Sequence, residues 1–184
     1  MRRPHLIDYW PIPLSWFNVP TAVQAGTITR GEPQRTRVCI YGAGYGKQEA
    51  PLNDSMWEVF ALNLVPPFDL SKRLRADRWF DLHQREAQTT DDLRWIAACP
   101  VPIYVPPDLK DASPNAVRYP LDEIEDALHV SYWATTFSYK IALVLFEGMA
   151  TDLGLYGVEL AYGTERERTV EWANVSWWAG YLEH

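Results

Sequence analysis

Arg37-Val-Cys-Ile-Tyr-Gly-Ala-Gly-Tyr-Gly46 sets the architecture of this chain, because it is an apolar run that breaks into three closely spaced glycines. A buried strand that ends in a glycine-rich turn lets backbone N–H groups approach a phosphate or nucleotide closely. The dinucleotide-binding fingerprint is Gly-x-Gly-x-x-Gly, whereas the last glycine here, Gly46, comes one residue early. The turn therefore predicts either a nucleotide pocket or an ordinary strand-to-turn junction of an α/β domain.

The composition is that of a globular protein with an excess of aromatic residues. The 184 residues include 9 Trp and 10 Tyr, the hydrophobic fraction is 47% and the formal net charge is -7. Trp and Tyr supply large contact areas together with a polar group. The excess therefore predicts either an aromatic core or surfaces that meet a partner. The negative net charge, without a dense Lys/Arg cluster, argues against sequence-independent binding to nucleic acid.

The cysteines and histidines do not have the spacing of a disulfide framework or a zinc site. Cys39 and Cys99 both lie in apolar segments, and the four His are scattered. Arg2 and Arg3 are followed by a proline-broken aromatic segment rather than by the apolar core of a signal peptide. The apolar runs are also too short to cross a bilayer. We expect a cytosolic protein without a bound metal and without a membrane partner.

The first 35 residues differ from the remainder of the chain. Prolines interrupt them and large aromatic groups follow one another closely, at Pro4, Pro11, Pro13, Pro20 and Pro33 and at Tyr9, Trp10, Trp16 and Phe17. Proline restricts the backbone to extended conformations, and disordered tails are poor in aromatic residues. Residues 1–35 are therefore predicted to be an extended arm that packs either on its own domain or on a neighbouring subunit.

From residue 36 to residue 184, strand patterns alternate with helix patterns. The predicted strands are residues 37–41, 57–62, 78–82, 101–105 and 153–158, and the predicted helices are residues 91–98, 121–128, 133–148 and a last one near 167–182. This alternation is typical of an α/β domain with a largely parallel sheet. We expect a Rossmann-like fold with a mostly parallel sheet of five or six strands flanked by helices.

Several polar or glycine residues follow the predicted strands directly. They are Gly42, Gly44 and Gly46, then Asn63, then Asp81 and His83, then residues 106–108, and finally Glu159. Ligands of open parallel sheets bind beyond the carboxyl ends of the strands. We therefore expect these residues to line one cleft, although Asn63 suits a turn as well as the edge of a base or ribose.

Candidate acid–base groups lie after the third and fifth predicted strands. Asp81 and His83 are two residues apart and share one face of an extended chain, which suits general-base chemistry. The alternative is a turn acid and a structural histidine. Glu159 is either a third catalytic group or an ordinary strand-end acid. Thr135, at the start of the longest helix, either caps that helix or holds an anion at its positive end.

The order of sequence blocks resembles that of small Rossmann-like proteins encoded by tailed bacteriophages. The blocks are Val38-Cys-Ile-Tyr-Gly-Ala-Gly44, Trp57-Glu-Val-Phe-Ala-Leu-Asn63, Asp77-Arg-Trp-Phe-Asp-Leu-His83, Pro100-Val-Pro-Ile-Tyr-Val105, Val117-Arg-Tyr-Pro-Leu-Asp-Glu123, Thr135-Thr-Phe-Ser-Tyr-Lys-Ile-Ala142 and Leu153-Gly-Leu-Tyr-Gly-Val-Glu159. The resemblance covers about residues 36–181 and leaves out the arm. It implies a location in the host cytoplasm or in the virion.

That phage group is in turn distantly similar to bacterial sialyltransferases and to archaeal pterin-diphosphokinase-like proteins. The resemblance implies that Gly42, Gly44 and Asn63 hold a cytidine nucleotide. The chain departs from the family pattern at two places. Gly44-Tyr45-Gly46 stands where Gly-x-Ser or Gly-x-Pro-Ser is common, and Gly157-Val158-Glu159 stands where Gly-Val-Asp is common.

Three functions fit these observations. The first is a nucleotide- or nucleotide-sugar-dependent, glycosyltransferase-like enzyme. In this enzyme Gly42, Gly44, Gly46, Asn63 and Thr135 bind the nucleotide, and Asp81, His83 and Glu159 are catalytic. The second is a structural or assembly protein of a phage particle, a homo-oligomer whose arm contacts a neighbouring subunit, since a fold does not fix a function. The third is a protein that sequesters a nucleotide without turnover.

Overall fold

The computed structural model describes residues 12–13, 37–62, 75–148, 150–158 and 164–182. Its centre is a sheet formed by β1 (Ile12–Pro13), β2 (Arg37–Tyr41), β3 (Trp57–Leu62), β4 (Arg78–Phe80), β5 (Ile103–Val105), β6 (Ala116–Arg118) and β7 (Asp152–Tyr156). The strand order is β1-β7-β2-β3-β4-β5-β6. All neighbours from β7 to β6 are parallel, and only the short β1 is antiparallel. The prediction of a mostly parallel Rossmann-like sheet is confirmed.

Four α-helices cover the two faces of the sheet. They are α1 (Thr90–Ala98), α2 (Leu121–Leu128), α3 (Thr136–Glu147) and α4 (Trp172–Leu182), the last preceded by a π-helical turn (Glu167–Glu171). Residues of α2, α3 and α4 pack on one face with Val38, Ile40 and Phe60. Residues of α1 pack on the other face with Ala61 and Trp79. Burial on both faces explains why β2 and β3 are continuous apolar runs. None of the helices among the described residues is long and apolar enough to cross a membrane.

Helix α3 runs from the carboxyl edge of the sheet to the amino edge. Thr135 caps its first turn by accepting a hydrogen bond from Ser138 N (3.2 Å), and Gly148 ends it in the left-handed region (φ 61°). Phe137, in the first turn, lies beside Gly42 at the carboxyl end of β2. Glu147, in the last turn, forms an ion pair with Arg78 at the amino end of β4. The helix therefore presents its N-terminal turns to the carboxyl edge of the sheet.

A charged cluster fixes the C-terminal end of α3 to the sheet. Arg78 Nε donates to Glu58 Oε1 (2.7 Å), and the same guanidinium donates to Glu147 and to the Tyr104 hydroxyl (3.1 Å). It also lies over the Phe60 ring, 5.0 Å from the ring centroid. Because the partners come from β3, β5 and α3, this cluster sets the position of the helix along the strands.

The ends of β2 and β7 approach each other unusually closely. Gly42 N donates to Tyr156 O (2.7 Å), and Gly44 N donates to Gly157 O (2.8 Å). A Cβ atom on Gly42 would lie 2.1 Å from Gly157 O, and Gly157 itself has φ of 68°. Both positions therefore require glycine, one for space and the other for its backbone conformation.

The structure corrects several predicted boundaries and adds two strands. The predicted strand 78–82 ends at Phe80, the strand 101–105 begins only at Ile103, and the helix 133–148 begins at Thr136. The predicted strand 153–158 is Asp152–Tyr156, because the left-handed Gly157 ends it. Sequence patterns missed β6, whose three residues are half-buried or exposed and carry no apolar run. They also missed β1.

The predicted N-terminal arm is described at two residues only. Ile12–Pro13 pair antiparallel with β7, with Ile12 opposite Leu153 and Pro13 opposite Asp152. This part of the arm therefore lies on its own domain. The rest of residues 1–35 lies outside the described residues.

Gly42→Ala should lower the free energy of unfolding by at least about 2 kcal/mol, because its Cβ would meet a backbone carbonyl that cannot move without separating β2 from β7. Gly180→Ala is the matched control. A Cβ on this helical glycine meets nothing within 4 Å, so the change should stabilise the protein by up to about 1 kcal/mol. Urea unfolding of the two variants measures both effects. Equal stability of the two variants would contradict the close approach.

Candidate functional site

An imidazole and a buried carboxylate meet at the carboxyl end of β4. Asp81 Oδ1 lies 3.4 Å from His83 Nδ1, and the exposed fractions of the two side chains are 1% and 52%. Gln88 Nε2 donates to Asp81 Oδ1 (2.8 Å) and to His83 O (2.9 Å), so that one amide holds the carboxylate and the loop together. The sequence prediction placed Asp81 and His83 in one site, and the structure brings them into contact.

The surroundings of His83 favour its protonated form. The hydrogen bond that His83 donates to the Asp81 carboxylate is the largest influence and raises the pKa of His83 above its ordinary value, while burial opposes this shift. The charges of Asp81 and of Asp92, in the first turn of α1, raise the pKa further. His83 meets the carboxylate through Nδ1, and its side chain is half-exposed. The pair has the arrangement of a general base, His83, that is oriented by a carboxylate, Asp81.

The loops after β4 and β5 are tied to each other beside this pair. Asp108 Oδ2 accepts from Arg85 N (3.3 Å), and Arg85 donates from its guanidinium to Asp108 O (3.1 Å). The sequence prediction included residues 106–108 at the carboxyl edge but not Arg85 or Gln88. No sequence signal marks Arg85 and Gln88, because their contacts depend on the path of two loops.

The glycine turn uses two of its backbone amides within the fold. The N–H groups of Gly42 and Gly44 donate to carbonyls at the end of β7. Gly46 is buried with φ of 83° and leads into a short 3-10 turn, Lys47–Glu49. The phosphate-binding role of the three glycines stays a prediction. The amides of Gly42 and Gly44 already have acceptors within the fold.

The other predicted site residues have different outcomes. Thr135 is buried and caps α3, which is the capping alternative of the two stated for it. Its role in holding a ligand is untested. Asn63 and Glu159 lie outside the described residues. The described part of the chain holds no group of three or more His, Cys, Asp or Glu side chains that could bind a metal ion.

Lys140 is a buried polar residue that the sequence interpretation missed. It is on α3, its exposed fraction is 0%, and Nζ donates to Phe60 O (3.1 Å) and Tyr41 O (3.4 Å). Burial lowers the pKa of this amine well below its ordinary value. The sequence did hold a signal. Lys140 follows Phe137 by three residues and precedes Val144 by four, so it belongs to the apolar face of the helix.

Comparison with protein-family models, with curated protein sequences and with solved structures found no match. The chain is therefore characterised by its α/β fold and by the groups at its carboxyl edge.

Asp81→Asn should lower the pKa of His83, because it removes the charge and the principal hydrogen-bond acceptor that favour the imidazolium. The raised pKa also means that the pairing stabilises the fold below the ordinary pKa of histidine, and that this contribution is lost as pH rises through the folded value. NMR titration of the His83 ring measures the shift. Asp108→Asn is the control and should leave the His83 pKa unchanged. An unchanged pKa in Asp81→Asn would contradict the pairing.

Proposed function

We propose that this protein is a group-transfer enzyme that acts on a nucleotide or nucleotide sugar, with His83 as its general base. The observation that carries the proposal is the contact between the buried Asp81 and the half-exposed His83 at the carboxyl end of β4. Open parallel sheets bind their ligands at this edge. Perturbed titratable groups that lie at such an edge are candidates for catalysis.

In the proposed reaction, His83 Nε2 accepts the proton of an acceptor hydroxyl. The acceptor oxygen forms a bond to the transferred group, and the bond between that group and the nucleotide phosphate breaks. The electron pair leaves with the phosphate. Asp81 stabilises the imidazolium that forms, and Gln88 keeps the carboxylate in place. The protonated His83 then returns its proton to solvent or to the leaving phosphate.

The nucleotide class of the substrate rests on the resemblance to phage Rossmann-like proteins and, more distantly, to sialyltransferases. That resemblance remains a prediction, as do the assignments of Gly42, Gly44 and Asn63 to the nucleotide and of Glu159 to catalysis. Host cytoplasm or virion as location, and a homo-oligomeric state, belong to the same proposal.

Exposed aromatic side chains on and beside α4 favour a second function, assembly with other protein subunits. Tyr132, Trp172 and Trp177 each expose between 38% and 40% of their surface, and the rings of Tyr132 and Trp177 are in contact. The pairing of Ile12–Pro13 with β7 shows that part of the arm is held by its own domain. A monomer at high concentration, measured by analytical ultracentrifugation, would contradict the assembly function.

His83→Gln should reduce turnover by about 10²- to 10⁴-fold and leave nucleotide binding intact, because the imidazole acts in proton transfer rather than in binding. The measurement is a thermal-shift screen of nucleotides and nucleotide sugars, followed by mass analysis of the product. His129→Asn is the matched control. His129 is exposed at the end of α2 with φ of 54°, a conformation that Asn tolerates.

The outcomes separate the three functions. Binding with a transferred product that depends on His83 supports the enzyme. Binding of unchanged ligand by the wild type supports nucleotide sequestration instead. The absence of a thermal shift with every compound would exclude both and leave assembly.

A further inference from the structure

Lys140 places an amine directly beneath the carboxyl ends of three neighbouring strands. Its Nζ donates to the carbonyls of Tyr41, the last residue of β2, and of Phe60, near the end of β3. The same nitrogen lies 5.5 Å from the centroid of the Phe80 ring on β4 and 5.5 Å from that of Phe137 on its own helix. The amine is therefore enclosed by backbone carbonyls and aromatic rings.

The Lys140 amine has no ion-pair partner in the part of the chain that the structure describes. Among the described residues, no Asp or Glu lies within 4.0 Å of Lys140 Nζ, and Cys39 on β2 is the titratable group that interacts with it electrostatically. Burying a charged amine without an opposite charge costs several kcal/mol. Hydrophobic side chains of similar volume, such as Met, fill such positions without this cost. The presence of Lys at this buried position is the observation that calls for an explanation.

Lys140 lies next to the glycine turn, in which the backbone N–H groups of Gly42 and Gly44 already have acceptors. Tyr41, whose carbonyl accepts from Nζ, directly precedes Gly42, and Phe137 lies against both Gly42 and the Lys140 amine. The amides of Gly42 and Gly44 already donate to the end of β7. These two amides therefore do not provide the positive partner of a phosphate, and the Lys140 amine lies at the ends of β2 and β3 next to the turn.

We propose that Lys140 neutralises the phosphate of a ligand that binds at the carboxyl ends of β2 and β3. This inference rests on the proposed function, since it assigns the anion-binding residue of the same site. The ligand class is a nucleoside diphosphate or its sugar derivative, and the shared chemistry is the diphosphate. Burial lowers the pKa of this amine, and the charge of a bound phosphate would raise it again.

Lys140→Met tests the inference, because Met keeps the volume of the stem and removes the amine. Isothermal titration with UDP, ADP and inorganic pyrophosphate should give binding about 10- to 100-fold weaker than that of the wild type. Uridine and adenosine, which lack the diphosphate, should show no difference between the two proteins. Lys47→Met is the matched control. Lys47 is an exposed lysine of the same turn, with Nζ bonded to Ala43 O (3.1 Å), and its loss should leave binding unchanged.

Two further readouts separate this role from a structural one. The melting temperature of Lys140→Met should equal or exceed that of the wild type, whereas a lysine kept only for its two carbonyl contacts would make the variant less stable. Binding by the wild type, measured in buffers of different ionisation enthalpy, should take up protons, and the variant should not. Far-ultraviolet circular dichroism confirms that the variant is folded.

Wild-type affinity in Lys140→Met would overturn the inference, as would loss of binding in Lys47→Met instead. If that wild-type affinity is accompanied by a turnover that depends on His83, the proposed function survives without the inference. If Lys140→Met weakens pyrophosphate binding but no transfer product forms with any nucleotide sugar, the inference survives and the enzyme is excluded. A wild type that binds none of the three phosphates would overturn the inference.

Discussion

The close approach of the Gly42 and Gly157 backbones is the constraint on which the rest of the structure depends. It joins β2 to β7, which are neighbours in the sheet although β3 to β6 lie between them in sequence. It also requires the absence of a side chain at Gly42. The pairing places the first turn of α3 beside the same turn, because Phe137 packs against Gly42. In the same region, the backbone N–H groups of Gly42 and Gly44 donate hydrogen bonds to carbonyls at the end of β7. Gly42 and Gly157 therefore have a structural requirement of their own, whether or not the turn binds a ligand.

The polar groups at the carboxyl edge form two separate arrangements. Lys140 lies below the ends of β2 and β3, where backbone carbonyls and aromatic rings surround its buried amine. Asp81 and His83 lie beyond the end of β4, where a buried carboxylate meets a half-exposed imidazole. Burial of Lys140 is costly for stability, because it removes an ionisable group from water without an opposite charge beside it among the described residues. Costs of this kind collect at functional sites, where selection retains chemistry at the expense of packing.

Much of the fold could be predicted from the sequence, because the inner strands are buried on both faces and therefore read as apolar runs. This held for β2 and β3 and for the long apolar face of α3. The prediction failed for β6, because this strand is defined by its pairing with β5 and its sequence has no apolar run. In the site, the spacing of Asp81 and His83 predicted a shared face, and the structure places the two side chains in contact beyond the end of β4. Lys140 was missed because a helical lysine is ordinarily exposed. The assignment of the glycines to phosphate stays a prediction, because close backbone approach and anion binding select the same residue.

The central claim is that ligand chemistry takes place at the carboxyl edge of the sheet. A titration of isotope-labelled protein with UDP, followed by NMR of the backbone amides and of the lysine side chains, tests it most directly. The account predicts chemical-shift changes that cluster at residues 42–46 and 81–88 and at Lys140 Nζ, with none on α4. Chemical-shift changes confined to α4, around the exposed Trp172 and Trp177, or no changes at all, would contradict ligand binding at the carboxyl edge.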